Sequence, residues 1–273
     1  MQDLPEVVIE KLKLEDLRYS EEQLRKRYNS FYNRIIKRTI GFCGAFIGVV
    51  TLSPFFILIS VMIVLESGFP ILYKPQRGGY KNKSFNIMKF RTMVRDAERI
   101  GGGTTALNDS RITKVGVLLR KTKLDEIPQL LNVIVGSMSF IGPRPELLKY
   151  TDRYQGIDKN ILNVRPGITD YSSLTLINLD EIVGTENADE IYEKFVLAKK
   201  NQLRLKYVAN VSFKTDCYLF LTTVYRVLRK AGRVMRRKSQ PSIQVIVESV
   251  DTENSSNKAI SSSNSSSSFS VKE

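Results

Sequence analysis

One uncharged stretch constrains this chain more than any other feature. From Thr39 to Leu65 there is no Lys, Arg, Asp or Glu. Such a run exceeds the roughly 20 residues needed to cross a bilayer core. It begins too far from the N-terminus, and runs too long, to read as a cleaved signal peptide. The chain is therefore expected to be built around a membrane segment.

Ser53-Pro54 sits midway along the run. Proline removes a backbone donor and crowds the carbonyl four residues back, here that of Val50. Each arm then holds about 11 to 15 residues and reaches roughly 16 to 22 Å, short of a hydrocarbon core of about 30 Å. Basic residues crowd both flanks. Arg25, Lys26, Arg27, Arg34, Lys37 and Arg38 precede the run, and residues 67–124 hold 13 Lys and Arg against three acids. The positive-inside rule places both flanks on the cytoplasmic side. A helix bent at Pro54 that enters and leaves by one face satisfies both constraints. A kinked helix that spans the bilayer remains the alternative.

Composition narrows the chemistry. The net charge is +14, which predicts polyanionic partners such as phosphorylated ligands, anionic headgroups or nucleic acid. No nucleic-acid motif is evident, so no nucleic-acid partner is expected. The chain has no histidine, which excludes imidazole bases and ligands. Its two cysteines, Cys43 and Cys217, are too sparse for a zinc cluster or a disulfide framework. Cys43 lies in the apolar run and reads as a packing residue.

Along the chain, Leu12, Leu14 and Leu17 suggest a short surface helix. Residues 70–73 and 84–90 read as strands, with Gln76-Arg77-Gly78-Gly79 as the turn between them. Gly101-Gly102-Gly103-Thr104-Thr105 reads as a loop, and helical patterns cover 115–135 and 186–207. Residues 218–238 form a basic amphipathic stretch with no acid between Asp216 and Glu248, suited to a helix on an anionic membrane surface. A solvated basic face is the alternative. The Ser-rich end cannot bury a core and is expected to be disordered. Four segments follow: a charged extension (1–32), the membrane helix (33–66), a catalytic domain with interfacial helices (67–238) and the tail (239–273). The expected fold is α/β, mostly helical.

The densest chemistry runs from Asp109 to Glu146. At its centre, Asp125-Glu126 lies among Arg120, Lys121, Lys123 and Arg144. Nearby cations favour ionised carboxylates. One carboxylate could attack phosphorus to give an acyl phosphate, and its neighbour could hold Mg²⁺, which favours one or two carboxylates together with substrate phosphates. Arg120, Arg144, Lys89 and Arg91 could neutralise a diphosphate. Taken alone, Asp-Glu before a Pro more often marks the start of a helix, with the acids favoured by its dipole.

The wider pattern weighs against that plain reading. Lys89-Phe90-Arg91-Thr92-Met93, Leu124-Asp125-Glu126-Ile127-Pro128-Gln129, Gly136-Ser137-Met138-Ser139, Gly142-Pro143-Arg144-Pro145 and Arg165-Pro166-Gly167-Ile168-Thr169 occur in this order. Together they resemble the bacterial sugar transferase family, the monotopic polyprenyl-phosphate phosphoglycosyl transferases, over about residues 33 to 230. The resemblance implies that Asp125 attacks the sugar-bearing phosphorus of a UDP-sugar, releasing UMP. Polyprenyl (undecaprenyl) phosphate then takes the phosphosugar, as the first membrane step of surface glycan assembly. It implies Glu126 as the Mg²⁺ ligand; Lys89, Arg91, Arg120 and Arg144 as phosphate binders; and a re-entrant helix broken at Ser53-Pro54. It places the catalytic domain on the cytoplasmic face of the inner membrane, against its lipids.

The chain departs from the family in three places. Lys37-Arg38 is followed by Thr39-Ile40-Gly41, without the usual nearby Asp. Lys123 stands where Ser or Thr is common. Asp170-Tyr171-Ser172-Ser173 replaces a Gly-containing segment. Two other classes compete: a glycosyltransferase that releases UDP, for which the chain lacks a long nucleotide-binding domain, and a non-enzymatic membrane adaptor that binds polyanions.

Overall fold

The computed structural model describes residues 13–14, 18–97, 109–176 and 192–236. The expected Gly101–Thr105 loop, the start of the 186–207 helix and the Ser-rich tail lie outside these residues. So does most of the expected Leu12–Leu17 helix. The chain falls into two units, Met1–Leu228 and Arg229–Glu273, and everything that follows concerns the first except the last turns of one helix.

Helix α1 (Glu21–Tyr28) is capped by Ser20, whose hydroxyl accepts from the Gln23 N–H. A π-helical turn at Tyr32–Ile36 leads into α2 (Lys37–Ser67). At 31 residues, α2 is about 46 Å long. Pro54 lies inside it without ending it. The Ser53 hydroxyl donates to the Val50 carbonyl at 2.8 Å, serving the acceptor that Pro54 cannot reach.

Lys37, Gly41, Ala45, Ile59 and Ile63 form the buried stripe of α2. Its first half packs with Ile87, Leu130, Val133 and Met138, and its second with Phe90 and Leu119. Phe42, Phe46, Ile47, Val50, Phe55, Leu58 and Leu65 are exposed. Only 11% of the most apolar window is buried, so α2 is not the core helix of a water-soluble fold. Cys43 is exposed on it too, which corrects its reading as a packing residue. An apolar residue on such a helix can face lipid as readily as protein.

The strands are short. β1 (Leu72–Tyr73) pairs antiparallel with β4 (Lys89–Phe90), and β2 (Gln76–Gly78) with β3 (Ser84–Asn86). Gln76–Gly78 is thus a strand rather than the expected turn, which falls instead at Tyr80–Asn82. The expected 84–90 strand divides into β3 and β4, which take different partners. The long helix expected over 115–135 also divides, into α3 (Lys114–Thr122) and α4 (Gln129–Val135). Lys123 is left-handed at φ 61°, and Leu124–Glu126 forms one 3₁₀ turn.

β5 (Ser139–Ile141) pairs in parallel with β6 (Gly167–Thr169). Gly142 and Gly167 let these backbones meet. A Cβ on Gly142 would lie 2.4 Å from the Arg165 carbonyl oxygen, and one on Gly167 would lie 2.1 Å from the Gly142 nitrogen. Helices α5 (Leu148–Thr151), α6 (Tyr171–Thr175), α7 (Leu197–Ala209) and α8 (Phe213–Arg236) complete the first unit, with the end of α8 belonging to the second. Leu24, Ile141, Val164, Leu205, Val208 and Leu219 form their shared core. The fold is mostly helical, as expected.

A buried polar cluster fastens the start of α2. Lys37 Nζ lies 3.0 Å from Asp216 Oδ2 and donates to the Tyr207 hydroxyl. The hydroxyls of Tyr32 and Tyr207 each donate to Asp216 at 2.7 Å. Lys37 thus finds its acid on α8, far along the chain.

Candidate active site

The 3₁₀ turn Leu124–Glu126 carries Asp125 and Glu126 and runs into α4, with Pro128 at the helix cap. The acids therefore do precede a helix, as their sequence context allowed. They are nevertheless drawn into two quite different settings.

Glu126 is clasped by cations. Lys89 Nζ donates to its Oε1 at 2.9 Å, Arg144 NH1 donates to Oε2 at 3.0 Å, and Arg144 NH2 also donates to Oε1. Burial opposes its ionisation, but Arg144 and Lys89 outweigh burial and hold its carboxyl well below the usual range. Asp125 is buried, and its Oδ1 has no hydrogen-bond partner. Burial raises its pKa, and the charge of Glu126 raises it further. Lys89, Lys123 and Arg120 only partly offset these effects. The attraction of nearby cations expected from the sequence prevails at Glu126, while at Asp125 desolvation exceeds the help of its cations and the pKa moves up from its ordinary value.

The predicted phosphate binders separate into two groups. Lys89 and Arg144 converge on Glu126. Arg120 lies near enough to lower the pKa of Asp125, and its Nε donates to the Thr92 hydroxyl at 2.9 Å. Arg91 is turned elsewhere: its NH2 donates to Ser67 O and Ser67 Oγ at 2.8 Å, which secures the C-terminal end of α2. Its Nε and NH1 are buried without partners. Ser53 and Pro54 are exposed on α2.

Several residues that received no role from the sequence brace this cluster. The Arg144 N–H donates to the fully buried Asp170 at 3.2 Å, and Asp170 also caps α6 by accepting from the Ser173 N–H at 2.7 Å. Glu146 accepts from Arg204 NH2 at 2.8 Å and from the Tyr192 hydroxyl. Burial opposes the charge on Glu146, but Arg204 and Lys200 overcome it and hold its carboxyl down at about 2. The two acids thereby pin both sides of the Pro143–Pro145 segment that carries Arg144. Glu146 directly follows the Gly142–Pro145 motif and Asp170 lies within a noted departure. Their partners on α7 and α6 give no local signal.

Among the described residues, no group of three or more acids or cysteines is gathered to hold a metal alone. A shared cation would have only Asp125 and Glu126 to draw on, and at Glu126 it would compete with Lys89 and Arg144. Mg²⁺ accepts one or two carboxylates when substrate phosphates complete its shell. Glu126 is ionised, and the open Oδ1 of Asp125 lies one residue away.

Comparison with known proteins now bears on this geometry. The profile of the family described as Bacterial sugar transferase matches residues 32–230. An Aeromonas hydrophila protein named UDP-N-acetylgalactosamine-undecaprenyl-phosphate N-acetylgalactosaminephosphotransferase is 34% identical over 64% of this chain and 41% of its own length. The UDP-glucose:undecaprenyl-phosphate glucose-1-phosphate transferase of Escherichia coli is 31% identical over 71% of this chain and 40% of its own. The chain thus spans about two-fifths of these two relatives. A Bacillus subtilis protein named Uncharacterized sugar transferase EpsL is 34% identical over 72% of this chain and 90% of its own length. The matched region takes in both the apolar helix and the Asp125–Glu126 turn with its clasping cations, and the chain belongs to the bacterial sugar transferase family.

Proposed function

We propose that this chain transfers a sugar 1-phosphate from a UDP-sugar to polyprenyl (undecaprenyl) phosphate, releasing UMP, as the first membrane step of surface glycan assembly. The observation that carries this reading is the pairing of a buried, open carboxylate with an ionised neighbour held by two cations, within a domain packed along an apolar helix. The names of the Aeromonas and E. coli relatives supply the substrate class.

Asp125 attacks the sugar-bearing phosphorus. An O–P bond forms from its carboxylate, the bond to the bridging oxygen breaks, and the electron pair leaves with UMP. The polyprenyl phosphate oxygen then attacks the same phosphorus, and the Asp125 carboxylate departs. Lys89 and Arg144, with Arg120 nearby, orient the diphosphate and neutralise it. Positioning and charge neutralisation are the main demands of phosphoryl transfer. Glu126 would hold Mg²⁺, which when bound screens the diphosphate charge.

The re-entrant course of α2 belongs to the same proposal. Arg38 donates to the Val133 and Ile134 carbonyls near one end of α2. Near the other, Glu66 accepts from the Lys114 and Val115 N–H groups at 2.7 and 3.0 Å, and Arg91 holds Ser67. One domain grips both ends with charged groups, which favours both ends lying on the cytoplasmic face. The exposed Tyr218, Leu221, Tyr225 and Leu228, with basic residues between and beyond them, suit α8 to that interface.

The test is nucleotide release by detergent-purified protein given Mg²⁺, undecaprenyl phosphate and a panel of UDP-sugars. Lipid-dependent UMP is expected. UDP in its place would establish direct glycosyl transfer and overturn the reading.

A further inference from the structure

Beyond the residues already assigned, Gln129 stands apart. Its side chain is completely buried, and neither its Nε2 nor its Oε1 has a hydrogen-bond partner. Only six buried side-chain polar atoms among the described residues share that condition, and three of them lie on Asp125 and Gln129. Native proteins rarely leave such groups unpaired, and those left open invite a functional account.

The backbone course places Gln129 one helical turn beyond the dyad. The backbone is right-handed at Ile127 and Pro128, and Ile127 N–H donates to the Leu124 carbonyl at 3.2 Å, so one helical course joins the 3₁₀ turn to α4. Gln129 follows Glu126 by three residues and Asp125 by four, the spacings that bring side chains together on a helical surface. Helical side chains also lean toward the N-terminus, which sets the amide over the turn that holds both acids. One turn further on, Asn132 shows how a fully employed amide looks here. Its Oδ1 accepts from the Met88 N–H at 2.8 Å, and its Nδ2 donates to Asn86 O and Ser137 Oγ at 2.9 and 3.1 Å. Lys89 and Arg144 are meanwhile engaged with Glu126. The Gln129 amide is the neutral donor left open next to the proposed nucleophile.

We infer that Gln129 contacts the transferring phosphoryl group, its Nε2 donating to a non-bridging oxygen of the phosphorus that Asp125 attacks. This assignment rests on the proposed phosphosugar transfer. A neutral donor at that position stabilises negative charge on phosphorus without adding a further cation that would hold the product.

The test uses the full chain in nanodiscs and reads the rapid release of UMP from UDP-sugar without lipid acceptor, together with thermal unfolding. Gln129→Met keeps the volume and removes both polar atoms. Gln129→Glu keeps the length and removes the donor. Each should slow the UMP burst about 10- to 100-fold, near the lower range for loss of one donor to a developing oxyanion. Gln129→Met should unfold at an unchanged or higher temperature, because a buried amide without partners contributes nothing to stability. A burst within two-fold of wild type in either variant would overturn the inference. So would a large loss of stability in Gln129→Met, since the amide would then be satisfied within the protein. Wild-type protein that releases no UMP from any donor would instead sink the proposed function itself.

Discussion

The cluster that fastens α2 to α7 and α8 makes a demanding prediction. Replacing Asp216 with Ala removes the partner of Lys37 and the acceptor of two tyrosine hydroxyls at once. The Lys37 and Asp216 side chains are 8% and 10% exposed, so solvent screens their attraction little. Deleting one member of a buried ion pair costs about 3–5 kcal/mol, because the other charge is stranded. The lost hydroxyl bonds belong to the same network and are contained in that figure rather than added to it. For a domain of this size each kcal/mol lowers Tm by roughly 2–4 °C, so Asp216→Ala should melt on the order of 10 °C lower. Lys37→Met should show a loss of similar size. The double variant Lys37→Met/Asp216→Ala should recover most of it, since removing both charges of a buried pair strands neither. Thermal unfolding of all four proteins in one nanodisc preparation completes the cycle. Additive losses, with coupling under about 0.5 kcal/mol, would refute the claim that this pair anchors the helix.

Other outcomes follow from the site. Asp125→Asn should lower kcat by at least about 10⁴-fold, as loss of a covalent nucleophile does, while sedimentation with membranes stays unchanged; near-normal turnover would remove Asp125 from its role. Because burial and Glu126 raise the Asp125 pKa above its ordinary 3.8, activity should fall on acidification through a midpoint above that value, and return on neutralisation. The fold should outlast activity: Glu126 and Glu146 have lowered pKa values, so their stabilisation is present above about pH 4.5 and is lost only as pH falls toward about 2 for Glu146. Circular dichroism recorded beside the pH–rate profile separates the two, and coincident loss would count against the assignment. Gly142→Ala should cut activity sharply and lower Tm, because its methyl would sit 2.4 Å from the Arg165 carbonyl oxygen and push β5 from β6 beside Arg144; a variant with wild-type rate and stability would contradict that close approach.

Much of this protein was legible from local pattern. A run of 27 residues without a charge carries its own helical and apolar signal, so Thr39–Leu65 was legible as one long apolar helix without any knowledge of its neighbours. The order of short motifs marked Asp125, Glu126, Lys89 and Arg144 because their chemistry depends on residue type and spacing. Other features rest on contacts that no window of sequence contains. Lys37 meets Tyr207 across 170 positions. Arg91, one of several basic residues near the site, goes to the end of α2, while Lys89, two positions earlier, goes to Glu126. Charge counting could not foresee that Asp125 and Glu126 would shift in opposite directions, since burial and distance, not composition, set the balance between desolvation and attraction. Cys43 and Gln129 make the same point from opposite sides. An apolar context does not say whether protein or lipid will cover a residue, and a polar side chain does not say whether the fold will give it a partner. Both are decided only when distant segments close around them.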